Sequence, residues 1–169
     1  MMGLLNEMFP GGRTVQWATL TCGAAGIFLA TAIYMEHIMG LAPCPLCMMQ
    51  RLWMLLVGII ALIGLAHRPN WGIYPLLSLL AAGVGGGFSI RQLYLQSLPP
   101  ELHPACGPDL NYMLDAFPLS DVLTAMTSGT GDCAQVSWSL FGISIPGFAL
   151  IGFVILAAFA IAQLRASGR

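Results

Sequence analysis

The sequence predicts an all-α membrane protein, a bundle of four transmembrane helices, and three observations carry that prediction. Of 169 residues, 57% are hydrophobic and 8% charged, where a soluble domain carries about 25% charged residues. The apolar residues gather into four stretches of about 20, the length that crosses roughly 30 Å of hydrocarbon at 1.5 Å per residue. A chain this short also lacks the polar surface to enclose four such stretches in water. The mean hydropathy of +0.81, with 20 Gly and 11 Pro, is too apolar for a disordered tail and too interrupted for a coiled coil. The six cations are all Arg against seven acids, a formal charge of −1. That leaves no basic surface for counterion release, so no nucleic-acid partner is expected.

The chain reads as one membrane domain over residues 1–169. The first span, about residues 15–35, lies between Arg13 and Glu36. It imitates a signal peptide with a small-residue site at Ala30-Thr31-Ala32, but it exceeds the usual apolar core of 7 to 15 residues and is expected to stay. The second span, about 48–66, holds Arg51 near its start; the third, about 71–95, holds Arg91 near its end; the fourth covers about 145–164. His67 to Asn70 is a minimal turn, which makes spans two and three antiparallel neighbours. Arg13, Arg68, Arg165 and Arg169 fall on the side of both termini, and Glu36, Glu101, Asp109, Asp115, Asp121 and Asp132 on the other. The positive-inside rule then predicts cytoplasmic termini and two outward loops, about 36–47 and 96–144. Leu41-Ala42-Pro43-Cys44 imitates a lipoprotein acylation site, with Pro43 where a small flexible residue belongs. Trp17, Trp53, Trp71, Tyr34, Tyr74 and Tyr94 are expected in the aromatic belts at span ends, and His37, His67 and His103 as interfacial polar residues.

On this topology Cys44, Cys47, Cys106 and Cys133 lie outward and Cys22 lies in hydrocarbon, as small packing filler. Outside a bacterial inner membrane thiols meet oxidising conditions, and position divides the four into Cys44 with Cys47 and Cys106 with Cys133. Pro43-Cys44-Pro45-Leu46-Cys47 is a C-x-x-C at the start of the second span, with Pro45 as first helical residue. Unpaired N–H groups and the helix dipole there favour a thiolate, which makes the pair prone to exchange. A bridge closing so small a ring is a poor staple, although metal sites share the spacing. The second pair spans a Pro- and Gly-rich loop, predicted mobile, whose Leu110, Met113, Leu114 and Phe117, then Leu119, Val122, Leu123 and Met126, recur at helical spacing around Pro118. They predict two short amphipathic helices, lying on the membrane surface or packed on the bundle top. The bland reading of Cys106 and Cys133 is a structural disulfide.

Arg51 lies four residues past Cys47 and seven past Cys44, on the same helical face one turn deeper. An ionisable group at that depth is a candidate functional residue, here for an anion or a polarised carbonyl, unless it snorkels to headgroups. Its charge opposes a divalent metal beside the pair. The layout is a relay: an outer pair on a loop, an inner pair at the membrane surface, and an Arg beneath. Exchange moves two electrons per step, and the two-electron acceptor dissolved in a bilayer is a quinone, whose developing charge Arg51 would stabilise.

Pro43-Cys44-Pro45-Leu46-Cys47 with Gln50-Arg51, Leu95-Gln96-Ser97-Leu98-Pro99, Ala105-Cys106-Gly107-Pro108, and Gly131-Asp132-Cys133-Ala134 followed by Trp138 and Phe141-Gly142 closely resemble the disulfide bond formation protein B family. The resemblance runs from the first span to the fourth. It implies an inner-membrane four-helix bundle that reoxidises a soluble periplasmic dithiol oxidase (DsbA-like) and passes electrons to ubiquinone or menaquinone. By position, Cys106 would form the mixed disulfide with the partner, Cys133 would be its pair, and Cys44 and Cys47 would receive the electrons. Cys47 would face the quinone and Arg51 would anchor it. Where some relatives carry a His at the outer end of the third span, this chain has Gln92, beside Arg91, and Gln92 can still hydrogen-bond the quinone. Two other readings compete: a quinone reductase resembling the vitamin K reductase family, whose redox motif belongs to a late span, and a non-enzymatic carrier of soft metals using Cys44 and Cys47.

Overall fold

A computed structural model describes residues 12–67, 70–107 and 110–167. Arg68, Pro69, Pro108, Asp109 and Arg169, which entered the turn, loop and charge readings, lie outside the described residues, as do the side chains of Leu110 and Leu114. Among the described residues, four helices are long and apolar enough to cross a membrane: α1 Gly12–His37, α2 Pro45–His67, α3 Ile73–Ser97 and, last of these, α6 Ile145–Ser167. Between α3 and α6 come a 3₁₀ turn at Pro100–Leu102, the short helices α4 Leu110–Ala116 and α5 Leu119–Ser128, a second 3₁₀ turn at Gly131–Ala134, and a hairpin of β1 Ser139–Leu140 with β2 Ile143–Ser144.

The long helices close a ring in which α1 packs on α2, α2 on α3, α3 on α6 and α6 on α1. Small residues make this possible, because in lipid the helices associate by close packing rather than by escape from water. Ala25, Ala81 and Ala82 meet Met54, Val57, Phe153 and Leu156 in the central core. The Phe153 ring lies so close to α3 that a Cβ on Gly85 would sit 2.3 Å from it. Large side chains such as Leu62, Leu80 and Val154 instead cover the outer surface, the arrangement a bilayer demands. Two buried hydroxyls inside the spans are satisfied within their own helix: Thr21 donates to Trp17 O at 2.8 Å and Ser89 to Gly85 O at 3.2 Å. Trp53, half-buried, packs against the central core.

One end of the bundle is tied by Thr14 donating to Asn70 and by the His67, Trp71 and Tyr74 rings, with His67 Nδ1 2.6 Å from Tyr74 Oη. The other end carries the cysteines. There Gly40, at φ 67, turns the chain from α1 toward α2, and the Cys44 carbonyl accepts the Met48 N–H at 3.1 Å, which starts α2 at Pro45. Pro fits there because its fixed φ suits the first helical position and its missing N–H would have had no partner. Of the two packings open for the short helices, α5 packs on α2 with Val122 buried.

Candidate functional site

The site assembles from three helices and a loop. Cys44 precedes α2 and Cys47 lies in its first turn, with their sulfurs 3.1 Å apart. Gln92, buried on α3, donates from Nε2 to both sulfurs at 3.3 Å. Its Oε1 accepts from Gln50 Nε2 at 2.7 Å and from the Cys47 thiol at 3.5 Å. The Gln50 bond fixes which end of the Gln92 amide faces the sulfurs, so the pair meets a donor suited to a thiolate.

The loop delivers Cys133 to the same place. The 3₁₀ turn at Gly131–Ala134 is closed by the Cys133 N–H on Thr130 O at 3.0 Å, and Cys133 is completely buried, packed with Leu46, Leu95, Ala134 and Cys44. The thiols of Cys44 and Cys133 are hydrogen-bonded to each other. That bond is the main reason that Cys133 is lowered to about 6, with backbone N–H groups assisting against burial. The same bond, then the bond to Cys47, then burial, hold Cys44 well above the ordinary thiol range.

Cys106 is exposed. Its segment lies against Gly131, whose N–H donates to Ala105 O at 3.0 Å. A Cβ on Gly131 would stand 2.5 Å from Pro104 O and 3.0 Å from Cys106 Sγ, so only glycine lets the two cysteine segments approach this closely. All five cysteines are free thiols, Cys22 half-buried in α1 among them.

A cavity of about 290 Å³ opens beside the pair. Its lining is largely apolar, including Phe28, Leu29, Met54, Trp138 and Phe148, and Cys44, Cys47, Gln50, Arg51 and Gln92 form its polar wall. Arg51 forms an ion pair with Glu36 at the end of α1 through Nη1 and donates from Nη2 to Ala32 O at 3.0 Å. Both side chains are partly shielded, at 21% and 32% exposure, which lets a paired charge persist near hydrocarbon. Arg91 does not line the cavity; it donates from Nε to Ser128 O at 3.1 Å and ties the end of α5 to α3.

The structure thus gathers Cys44, Cys47, Cys133, Arg51 and Gln92, and leaves Cys106 at the surface. Sequence reasoning assigned no role to Gln50 or Glu36. Gln50 follows Cys47 by one helical turn on its face, and Glu36 is the only acid of the short loop opposite Arg51; those spacings were the available signals.

Fold and site define a class: a membrane-spanning thiol protein with a redox-capable dithiol opening onto an apolar cavity. The family model for disulfide bond formation protein DsbB matches residues 13–163. The chain is 46% identical over 144 residues to disulfide bond formation protein B of Saccharophagus degradans, covering 83% of this chain and 86% of that protein. It is 48% identical over 131 residues to the protein of that name from Marinobacter nauticus, covering 76% and 78%. To disulfide bond formation protein B 1 of Pseudomonas aeruginosa it is 42% identical over 149 residues, covering 86% and 90%. No solved structure matches the chain. The chain belongs to the disulfide bond formation protein DsbB family, membrane-bound oxidoreductases that form protein disulfides.

Proposed function

We propose that the chain reoxidises a soluble periplasmic DsbA-like dithiol oxidase and passes the two electrons to ubiquinone or menaquinone, with termini in the cytoplasm and the four cysteines on the periplasmic side of a bacterial inner membrane. The observation that carries this reading is the file of sulfurs from Cys133 to Cys44 to Cys47, ending on an apolar cavity that also holds the Arg51 guanidinium.

Overall, a dithiol becomes a disulfide and a quinone becomes a quinol, so two electrons and two protons are conserved. With both cysteine pairs oxidised, a partner thiolate attacks exposed Cys106; a partner–Cys106 bond forms, the Cys106–Cys133 bond breaks, and Cys133 leaves as a thiolate. The backbone N–H groups of Leu46 and Thr130 and the Thr130 hydroxyl steady the departing thiolate. Packed against Cys44, Cys133 attacks that sulfur, a Cys44–Cys133 bond replaces Cys44–Cys47, and Cys47 is released beside the Gln92 amide, which donates to it. The second partner thiol attacks the mixed disulfide, which leaves the partner oxidised and Cys106 free to release Cys44 from Cys133.

The residues fit a quinone head: the lining is apolar and Arg51 supplies a donor for a carbonyl oxygen, while both N–H groups of Gln92 serve the two sulfurs. When bound, the quinone supplies the two-electron, two-proton acceptor. Arg51 would hold a carbonyl oxygen and favour negative charge there, with Glu36 orienting the guanidinium. Gln92 would steady the Cys47 thiolate.

Anaerobic quinone reduction by the purified protein, driven by a reduced periplasmic dithiol oxidase and followed by ultraviolet absorbance, tests the reading. Turnover that requires all four cysteines is expected, with Cys106→Ser abolishing it. No turnover with active partner and quinone would sink the proposal; tight metal binding lost in Cys44 and Cys47 variants would replace it with a carrier.

A further inference from the structure

We propose that Phe141, at the tip of the β1–β2 hairpin, is a lipid anchor that enters the headgroup layer at the cysteine end of the bundle and so fixes one wall of the cavity to the membrane. Ser139 pairs with Ser144 and Leu140 with Ile143, leaving Phe141 and Gly142 as a two-residue loop. Both have positive φ, 52 and 79. Such a loop favours Asn-Gly or Asp-Gly, and a bulky aromatic in this backbone conformation is an outlier. Nothing within the chain compensates, because Phe141 is 94% exposed. Water is a poor neighbour for that ring, and the contact that accounts for it lies outside the chain.

Position identifies the occupant. β2 runs directly into α6, and Ile143 packs where a Cβ on Gly147 would be 2.6 Å from its Cγ2. Trp138, just before β1, faces Phe148 with ring centroids 6.1 Å apart. Ser144 donates to Gln96 Oε1 in the last turn of α3 at 2.8 Å. These three contacts fold the hairpin alongside the first turn of a spanning helix, level with the end of another, where spans meet headgroups and aromatic side chains gather. From Cys133 to Leu164 the chain carries no charged residue, and Leu140 is exposed beside Phe141. An apolar, uncharged tip suits the boundary of a bilayer better than a soluble partner steered by complementary charge. Ser137, Trp138 and Ile145, which flank the hairpin, line the cavity, so the anchor also bears on the cavity wall. The anchor does not depend on the redox reading.

Trifluoromethylphenylalanine placed at position 141 of the full chain, in nanodiscs of phosphatidylethanolamine and phosphatidylglycerol, tests it by fluorine NMR. Nitroxide on the lipids is expected to broaden the signal more than a soluble gadolinium chelate does. Equal or reversed broadening would leave the tip in water, open to a soluble partner, and would overturn the anchor. Broadening by neither would bury it in a protein contact and overturn it as well. Phe141→Asn, which suits the left-handed backbone, should keep the fold and accelerate amide exchange over residues 137–146 in nanodiscs by about threefold or more. Unchanged exchange with the fold intact would likewise overturn it.

Discussion

The two cysteine pairs of the proposed relay are built on opposite plans. Cys44 and Cys47 share the start of one helix, 3.1 Å apart at their sulfurs, and answer to a single buried amide. Cys106 and Cys133 come from the two sides of a long loop, one exposed and the other fully buried against the first pair. On the proposed relay, a pair that meets a macromolecule presents one sulfur to solvent and hides the other where it would pass electrons inward, and a pair that serves a membrane-dissolved acceptor needs only a fixed geometry and a cavity. The difference lies in which sulfur can be reached from where.

The sharpest way to break this comparison is Cys133→Ser, which removes the one sulfur common to both regions. Partner-driven quinone reduction should fall by about three orders of magnitude or more, while a small dithiol reaching Cys44 and Cys47 directly still supports turnover. Equal loss with both reductants would show that Cys133 supports the fold rather than the transfer.

Next in size is Arg51→Gln. Losing a charge-assisted hydrogen bond worth about 1.5–3 kcal/mol should raise the apparent KM for quinone roughly 10- to 100-fold. It also strands Glu36, so melting temperature should drop, and adding Glu36→Gln should restore stability without restoring KM. Unchanged quinone kinetics in the single variant would remove Arg51 from the site.

The pH dependence of the reduced protein should follow Cys133. With Cys44 also reduced, the Cys133 thiolate is held by the Cys44 hydrogen bond with half-ionisation at about pH 6. Lowering the pH through that value protonates it, so the ultraviolet thiolate absorbance that is lost in Cys133→Ser should fall about tenfold from pH 7 to pH 5 in the reduced wild-type protein. A flat absorbance across 5 to 7 would place the readily ionised thiol elsewhere.

Gln92→Leu should have the smallest effect, slowing quinone reduction about fivefold as the hydrogen bonds to the two sulfurs are lost. Partner attack on Cys106, read by trapping the mixed disulfide, should be unchanged. A slower mixed-disulfide step would couple the inner amide to the outer pair and erase the distinction between the regions.

How much of this was legible differs between fold and site. The four spans were visible because apolar runs of about 20 residues have few other uses, and the start of α2 was visible because Pro45 can only begin a helix cheaply. Cys44, Cys47 and Arg51 share a helical face by spacing alone. The hairpin was not visible, since two-residue strands leave no periodicity and Phe141-Gly142 lacks the usual turn residues. Nor was the Trp53 packing, because a tryptophan within a span looks alike whether it faces lipid or a neighbouring helix.

By itself the sequence determined the class of fold, the start of α2 at Pro45 and the helix face that Arg51 shares with Cys44 and Cys47, since composition and local periodicity act within a single segment. Only the tertiary structure decided that Cys133 lies against Cys44, that Gln92 and Gln50 meet across α3 and α2, and that Glu36 closes on Arg51. Those contacts join residues far apart in the chain, and their partners are chosen by how helices pack and loops return, which no local pattern encodes.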